Sequence, residues 1–334
     1  MRKMFRFFCL AFGIFMAVVV MFPLFGAAAE NRISFSGGPE GGTFQYFSNG
    51  ISSRLSKDLL GVDAYNRTSA GSVENIRRIN SGEADFAIAY SGDTYLARNG
   101  LLKNDKNEYK DVLAVSYLYG APAHLIVLDD SDIDSISNLS GKRIAVGAAG
   151  SGASAAACRF FKILGLWERM DVVYIGYSKA ARALNNGQVD AMWAFAGFPN
   201  DSIMQAAASN KIKVLSTWQI GKEAGVFRQF PFYSPVVIPS GTYKGVDYEV
   251  KTFQDSALWV AGRHVSPDLV YKAVKTVFTQ EGLAYMRKVK STARAMSVDD
   301  ALLGIVTPIH PGAARYWTEK NKTLSESQKD RQIP

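Results

Sequence analysis

The sequence Gly37-Gly38-Pro39-Glu40-Gly41-Gly42-Thr43 follows a short apolar segment and precedes an amphipathic one, and it decides the predicted fold. A second glycine-rich turn, Gly147-Ala148-Ala149-Gly150-Ser151-Gly152, places Gly152 110 residues after Gly42. Glycine-rich turns between a strand and a helix let backbone N–H groups converge on a small polar ligand at the helix N-terminus. Two such turns predict two α/β lobes that face each other across a cleft.

A second repeat lies at the ends of two predicted helices, one after each glycine-rich turn. Gly82-Glu83-Ala84-Asp85 ends one predicted helix before a buried strand, and Gly187-Gln188-Val189-Asp190 ends another 105 residues later. Glycine is common just past a helix C-terminus because it adopts the left-handed conformation at little cost. The nearly equal spacings indicate two copies of one structural unit.

The first 29 residues are predicted to be a secretory signal peptide. Basic residues at positions 2, 3 and 6 precede an apolar run at 7–25, and Ala27-Ala28-Ala29 supplies small residues for cleavage. An uncleaved membrane anchor is the alternative, because the run is long enough to span a bilayer. Pro23 and the alanines favour cleavage. We therefore expect a periplasmic protein, secreted through a cleaved N-terminal signal peptide, that begins near Glu30.

Composition limits the classes of partner. The chain has 334 residues, 48% of them hydrophobic, which is enough for one large core or two moderate ones. Loss of residues 1–29 lowers the net charge from +8 to +5, and the basic residues are scattered, so no nucleic-acid partner is expected. Cys9 lies in the predicted signal peptide, and Cys158 is then left without a disulfide partner. A secreted chain without disulfides fits the bacterial periplasm.

Strand and helix patterns alternate along the chain and predict an α/β fold with mostly parallel sheets. Among them, Val62–Arg67 and Ala191–Phe195 are predicted strands, and Thr43–Leu60 is a predicted helix. The segment 112–128 reads as two extended runs separated by Gly120-Ala121-Pro122. Together with the proline-rich segment 231–235, this turn suggests where the chain crosses between lobes. We predict lobe one at 30–124 plus 234–334 and lobe two at 125–233.

Signatures of catalysis are weak. His124, His264 and His310 have no spacing suited to a metal site. Cys158 lies on an apolar helix face, which fits a packed thiol better than a nucleophile. There is no Gly-x-Ser-x-Gly motif, and the glycine turns lack the lysine of a P-loop and the order of a dinucleotide fingerprint. We expect a binding protein rather than an enzyme, with no cofactor and no metal.

Signatures of binding are stronger. Three predicted helices begin at clusters of glycine and hydroxyl residues, where free N–H groups and the helix dipole favour an anion. Ordinary N-capping is the alternative for each cluster. Aromatic residues at strand ends either close the pocket or pack in the core. Arg67 either clamps a carboxylate or faces solvent. The predicted ligand contacts are Gly42, Thr43, Phe44, Arg67, Ser69, Ala70, Gly71, Ser72, Tyr90, Ser91, Gly150, Ser151, Gly152, Ala153, Ser154, Phe195, Gly197 and Tyr233.

From about residue 33 to 320 the chain resembles the TAXI family of solute receptors, the extracytoplasmic partners of TRAP-type transporters. The resemblance rests on the turn at 37–43, on Ser-Ala-Gly-Ser-Val-Glu-Asn at 69–75, on the turn at 146–152 and on Ile-Pro-Ser-Gly-Thr-Tyr at 238–243. The second turn departs from the family pattern: Ala149 and Ala153 stand where proline and threonine are more common.

The resemblance implies a periplasmic-binding-protein fold of type II-like architecture, with a ligand cleft between two α/β lobes. It implies capture of a small organic carboxylate, glutamate or a related C5 dicarboxylate, and its delivery to TRAP transporter membrane subunits. We expect a monomer. A sensory binding protein that presents its ligand to a signalling receptor is the alternative, and a secreted enzyme is the less favoured one.

Overall fold

The computed structural model describes residues 31–330. The predicted signal peptide lies outside these residues. Within them, no helix combines the length and the apolar character needed to cross a membrane.

Ten strands of the described chain form one mixed sheet. The strands are β1 (Asn31–Ser36), β2 (Val62–Arg67), β3 (Phe86–Tyr90), β4 (Val112–Leu128), β5 (Arg143–Ala145), β6 (Asp171–Val173), β7 (Ala191–Phe195), β8 (Ile212–Val214), β9 (Ser234–Ile238) and β10 (Val250–Gly262). Their order is β2-β1-β3-β10-β4-β7-β5-β6, with β8 beside β4 and β9 beside β10. We call first lobe the part with β1, β2 and β3, and second lobe the part with β5, β6 and β7.

Helices cover the sheet and connect its strands. They are α1 (Thr43–Asp58), α2 (Ser72–Asn80), α3 (Ser91–Arg98), α4 (Gly152–Ile163), α5 (Tyr177–Asn185), α6 (Asp201–Ser209), α7 (Trp218–Glu223), α8 (Val226–Gln229), α9 (Pro267–Val277), α10 (Gln280–Val289) and α11 (Pro311–Glu319). Short 3₁₀ helices lie at Ile136–Leu139, Trp167–Arg169, Ser291–Ala295 and Glu326–Gln328. The predicted α/β class with two lobes is confirmed.

The long strand β4 carries the chain from the first lobe to the second. It pairs with β10 as far as Pro122 opposite Gln254, and with β7 from Ala123 opposite Phe195. The predicted break at Gly120 is wrong, because the backbone stays extended through it. Gly120 is needed for packing instead: a Cβ there would lie 1.9 Å from the side-chain oxygen of Gln254.

The sheet is mixed rather than mostly parallel. The pairs β1–β2, β1–β3, β5–β6 and β5–β7 are parallel, as the strand–helix alternation predicts. The strands β4 and β10 pair antiparallel with β3, β7 and each other because they run across both lobes instead of following a helical crossover. Parallel pairing is therefore confined to the outer strands of each lobe.

The chain returns to the first lobe along β10. The first residues of β10 contact the second half of β4 and the segment that follows β8. Lys251 accepts a hydrogen bond from the Thr217 N–H at 3.0 Å, and the Thr252 hydroxyl donates to the Ala123 carbonyl at 2.8 Å. Beyond Gln254, β10 lies between β3 and the first half of β4. These contacts place residues 250–252 beside elements of the second lobe. The division of the chain into lobes at residues 124 and 234 stays a prediction.

The internal repeat has a structural counterpart at two aspartates. Asp85 accepts a hydrogen bond from the backbone N–H of Ser34 at 2.7 Å, and Asp190 accepts one from that of Arg143 at 2.8 Å. Each carboxylate follows a helix and accepts a backbone N–H of a neighbouring parallel strand. The shared Gly-x-x-Asp spacing thus fixes the same strand register in both lobes.

Buried aromatic residues form the interior of each lobe. Phe35, Phe86 and Trp259 pack together in the first lobe, with ring centroids 5.4–6.3 Å apart. Phe160 stacks between Trp193 and Phe253 in the second, at 5.6 and 5.3 Å. Complete burial of a side chain such as phenylalanine contributes about 1.5–3 kcal/mol. These cores hold the strand ends and helix starts that meet between the lobes.

Candidate functional site

A small pocket lies between the lobes where α1, α2, α4 and α5 begin. Its volume in this conformation is about 20 Å³, room for roughly one water molecule. An organic ligand therefore needs the lobes to separate before it can bind between them. The lining residues are Pro39, Gly42, Thr43, Phe44, Ala70, Gly71, Ser72, Tyr90, Tyr119, Ser151, Gly152, Ala153, Tyr177, Phe195 and Ala196.

The N-termini of α1, α2 and α4 point at this pocket. Thr43 and Phe44 begin α1, Ser72 begins α2, and Gly152 and Ala153 begin α4. N–H groups in the first turn of a helix have no carbonyl acceptor within the helix, and they carry the positive end of its dipole. Two lobes thus contribute backbone donors to one small volume.

The pocket carries no formal charge of its own. Among the described residues that line it, there is no Asp, Glu, Lys, Arg or His. The helix N-termini favour a negatively charged guest, and the nearby buried carboxylate of Asp93, beside Gly152, is paired with Arg159 at 2.9 Å.

Two buried hydroxyl groups in the lining have no hydrogen-bond partner of good geometry among the described residues. These are the Thr43 hydroxyl and the Tyr119 phenol, on residues that are 2% and 1% exposed. Burial raises the pKa of Tyr119 well above its ordinary value, so the phenol stays protonated. The two hydroxyls are neighbours, because Thr43 acts on Tyr119 as a hydrogen-bonding group. Since buried polar groups in proteins are nearly always hydrogen-bonded, a ligand that gives each hydroxyl a well-aligned partner would satisfy both.

Aromatic rings form the apolar wall of the pocket. Tyr90 packs against Phe44 at 4.8 Å and edge-on against Phe195 at 5.0 Å. Its hydroxyl crosses from the first lobe and donates to the Phe195 carbonyl, which also accepts from Tyr177 at 2.9 Å. The wall therefore suits an aliphatic segment, and Tyr90 links the two lobes directly.

Two glycines allow the lobes to approach this closely. A Cβ on Gly152 would lie 2.5 Å from the Tyr90 ring and 2.7 Å from the Asp93 carboxylate. Gly71 has φ +124°, a conformation that strains other residues, and it faces Ser151 across the lobe boundary. The glycines of the sequence motifs thus serve both the helix starts and the fit between the lobes.

Most of the predicted contacts are brought together by the fold. Whether they bind ligand stays a prediction. The predicted residues that line the pocket are Gly42, Thr43, Phe44, Ala70, Gly71, Ser72, Tyr90, Ser151, Gly152, Ala153 and Phe195.

Arg67 lies outside the lining. Its guanidinium pairs with the Glu83 carboxylate at 3.0 Å, and its side chain is 42% exposed. Three predicted serines also make internal bonds instead of lining the pocket. The Ser69 hydroxyl donates to the Gly37 carbonyl at 3.1 Å, that of Ser91 to Gly304 at 2.6 Å, and that of Ser154 to Ser151 at 2.9 Å.

The remaining predicted residues lie at the boundary between the lobes, beside the pocket. The Gly150 carbonyl accepts a hydrogen bond from the Glu74 N–H at 3.2 Å. A Cβ on Gly197 would lie 2.5 Å from the Thr292 methyl group. The Tyr233 hydroxyl accepts a hydrogen bond from Arg159 at 2.8 Å. Each residue has a structural role in joining elements.

Four lining residues were not among the predicted contacts: Pro39, Tyr119, Tyr177 and Ala196. Pro39 stands inside the first glycine turn, and Gly176-Tyr177-Ser178 is another helix start of the glycine–hydroxyl kind, so both had a local signal. Tyr119 reaches the pocket from β4, and its position near the lobe crossing was the only sign of a role.

Comparison with known proteins places the chain in a family. A model described as the NMT1-like family matches residues 35–320. The chain belongs to the NMT1-like family.

Solved structures share its fold at low sequence identity. MatC from Rhodopseudomonas palustris with bound malate is 17% identical, with a TM-score of 0.50 and coverage of 86% of this chain and 98% of that one. An R. palustris protein with adipate is 18% identical, with a TM-score of 0.50 and coverage of 78% and 87%. A binding protein component of an ABC phosphonate transporter from Pseudomonas aeruginosa is 14% identical, with a TM-score of 0.51 and coverage of 79% for both chains. The two-lobed fold of periplasmic binding proteins, expected from the sequence, is confirmed.

Proposed function

We propose that this protein is an extracytoplasmic solute receptor that binds a small organic carboxylate between its lobes and delivers it to the membrane subunits of a transporter. The observation that carries the proposal is the pocket itself. Helix N-termini from both lobes surround it, two buried hydroxyls lack partners, and no charged side chain lines it among the described residues.

A carboxylate matches these donors better than a cation or a neutral sugar. Its two oxygens accept several hydrogen bonds at once, and bonds to a charged acceptor are stronger than neutral ones. The aromatic wall of Phe44, Tyr90 and Phe195 suits a short aliphatic chain between polar ends. Glutamate or a related C5 dicarboxylate has this pattern. The malate and adipate in two structurally similar proteins are also small dicarboxylates.

The segments 37–43 and 69–75, which resemble the TAXI family, supply the starts of α1 and α2 in the pocket. They support a TRAP-type transporter as the partner, with the protein working as a periplasmic monomer after removal of residues 1–29. Catalysis is not part of the proposal, since the described lining offers hydroxyls and backbone groups but no general base.

Binding and closure are coupled in this account. The ligand binds to the helix starts of one lobe in the open form, and closure adds the donors of the other lobe around a pocket that has widened beyond the roughly 20 Å³ of the conformation described above. The ligand shifts the open–closed equilibrium by as much as it prefers the closed form. Closure also removes water from the pocket, which strengthens the hydrogen bonds to the carboxylate.

Native mass spectrometry of the purified protein tests the proposal directly, because a bound solute is detected with its mass. Melting curves with glutamate, glutamine, 2-oxoglutarate and C4 dicarboxylates extend the test. A ligand at one hundred times its Kd adds about 2.7 kcal/mol to the free energy of unfolding. We expect a rise of several degrees with at least one of these acids. Unchanged curves with all of them would count against a carboxylate receptor.

Thr43→Val tests the role of the pocket hydroxyl, since it keeps the side-chain shape. We expect it to weaken binding by about 1–3 kcal/mol, measured by calorimetry with the acid that shifts the melting curve. Thr318→Val is the matched control, because that exposed hydroxyl bonds the Ala314 carbonyl on α11. Equal affinities for Thr43→Val and the parent would remove this hydroxyl from the site.

A further inference from the structure

The N-terminus of α6 forms a contact between the lobes beside the pocket. Asp201, the first residue of α6 in the second lobe, lies 2.6 Å from the Lys290 ammonium at the end of α10, which packs with α1 on the first lobe. A hydrogen bond to Asp201 also raises the pKa of Tyr46 on α1. The Lys290 ammonium lies 4.8 Å from the Tyr46 ring centre. We call Tyr46, Asp201 and Lys290 the α6 clasp.

Two side chains at the starts of α5 and α6 join the second lobe to the wall of the pocket. The side-chain amide of Asn200, the N-cap of α6, donates to the Gly41 carbonyl at 3.3 Å, and the hydroxyl of Ser178 on α5 donates to the Glu40 carbonyl at 3.4 Å. Glu40 and Gly41 directly precede Gly42, which lines the pocket. The α6 clasp therefore lies next to contacts that hold the second lobe against the turn that presents the N-terminus of α1.

The ion pair of the α6 clasp is partly shielded from solvent. The side chain of Lys290 is 12% exposed and that of Asp201 is 40% exposed. Burial opposes ionisation of Asp201, but hydrogen bonds from Lys290 and Tyr46 outweigh it and lower the pKa of the carboxyl group. Asp201 is therefore charged at neutral pH. Rigid-body opening of the lobes would separate this carboxylate from both partners, because they lie on the other lobe.

We propose that the α6 clasp is a salt-sensitive latch that stabilises the closed arrangement of the lobes and thereby tunes ligand affinity without touching the ligand. The link to affinity rests on the proposed function. The link to closure does not, because the distance between the lobes is measurable without ligand.

The chain offers a matched control for this latch. Lys213 and Asp134 also form a pair with 2.6 Å between ammonium and carboxylate, and both residues belong to the second lobe. Loss of that pair removes a similar interaction but leaves the boundary between the lobes intact. If Lys290→Met and Lys213→Met change the closed-to-open ratio equally, the change therefore does not come from the contact between the lobes.

Spin labels on the two lobes measure the closed-to-open ratio by double electron–electron resonance. Lys57→Cys on α1 and Gln188→Cys after α5 provide exposed sites, in a Cys158→Ala background that removes the buried thiol. Without ligand, Lys290→Met and Asp201→Asn should each lower the closed-to-open ratio by about two- to fivefold, as expected for a partly exposed ion pair. High salt should lower the ratio of the parent more than that of Lys290→Met, which keeps the buried pair of Arg159 and Asp93 between the lobes. Lys213→Met should match the parent.

An unchanged distance distribution in Lys290→Met and Asp201→Asn, or an equal shift in Lys213→Met, would overturn the latch. L-glutamate is the probe for affinity by calorimetry. If it binds the parent and Lys290→Met equally well, the proposed function stands and the link between the latch and ligand affinity falls. If the distances shift as expected but L-glutamate gives no heat, the latch stands and this acid is not the ligand.

Discussion

Gly152→Ala is expected to weaken ligand binding by acting as a wedge between the lobes. The new methyl group would lie 2.5 Å from the Tyr90 ring, whereas non-bonded carbon atoms rest about 3.5–4.0 Å apart. Roughly 1 Å of overlap must therefore be relieved. Tyr90 has little room to move, because its ring packs between Phe44 and Phe195 and its hydroxyl bonds the Phe195 carbonyl.

The expected magnitude follows from the cost of overpacking. Extra methyl groups in well-packed interiors cost about 1–3 kcal/mol, which corresponds to a factor of about 5 to 150 in an equilibrium constant. This cost falls on the closed form, because Tyr90 belongs to the first lobe and residue 152 to the second. The substitution therefore shifts the equilibrium towards the open form.

Calorimetry with the identified carboxylate measures the change in Kd. The control is Gly176→Ala at the N-cap of α5, where a Cβ would be 4.0 Å from Pro39, an ordinary contact. We expect Gly152→Ala to lose about tenfold or more in affinity. Parent-like affinity in Gly152→Ala, or equal losses in both variants, would refute the proposed closure of the lobes around residue 152.

Three further predictions concern single side chains. Arg67→Ala should leave Kd within about twofold of the parent, since Arg67 forms an exposed ion pair with Glu83, and a complete loss of binding would restore the arginine clamp. Tyr119→Phe should weaken binding by about 1–3 kcal/mol while the ligand-free protein is no less stable, because an unpartnered buried hydroxyl is removed; melting curves and calorimetry separate the two effects. Burial lowers the pKa of His124 to about 4, below the value of about 6.5 in an unfolded chain, so the unfolded state takes up the proton first and stability falls as pH drops from about 6.5 to 4. Denaturant unfolding should show that His124→Gln removes about 3 kcal/mol of this pH dependence, and an identical pH profile in the variant would contradict the assignment.

The local sequence pattern predicted those helices and strands whose ends are marked by glycine or polar residues. The bounds of β2 (Val62–Arg67) and β7 (Ala191–Phe195) match the predicted strands, and α1 begins at the predicted Thr43. The helix α3 was missed because Ser91-Gly92-Asp93 reads as a turn. Its first turn is fixed by a distant residue, since Asp255 on β10 accepts the Gly92 N–H at 3.0 Å. Tertiary contacts of this kind leave no trace in the local pattern.

The same distinction holds for the pocket. Its backbone donors follow from glycine-rich helix starts, which are visible in the sequence, so Thr43, Ser72 and Gly152 were predictable. Tyr119 was not, because only the pairing of β4 with β10 brings it beside Thr43. The face taken by Arg67 on β2 was left open by the strand pattern and is settled by its contact with Glu83.

The central claim is that backbone N–H groups at three helix starts hold the carboxylate. Amide chemical shifts in a ¹⁵N TROSY titration with the identified acid test it most directly, because each donor is observed separately. We expect saturable chemical-shift changes with one common Kd at amides of both lobes, namely Thr43, Phe44 and Ser72 in the first and Gly152 and Ala153 in the second. Saturable binding that leaves these five amides unmoved while other residues shift would contradict it.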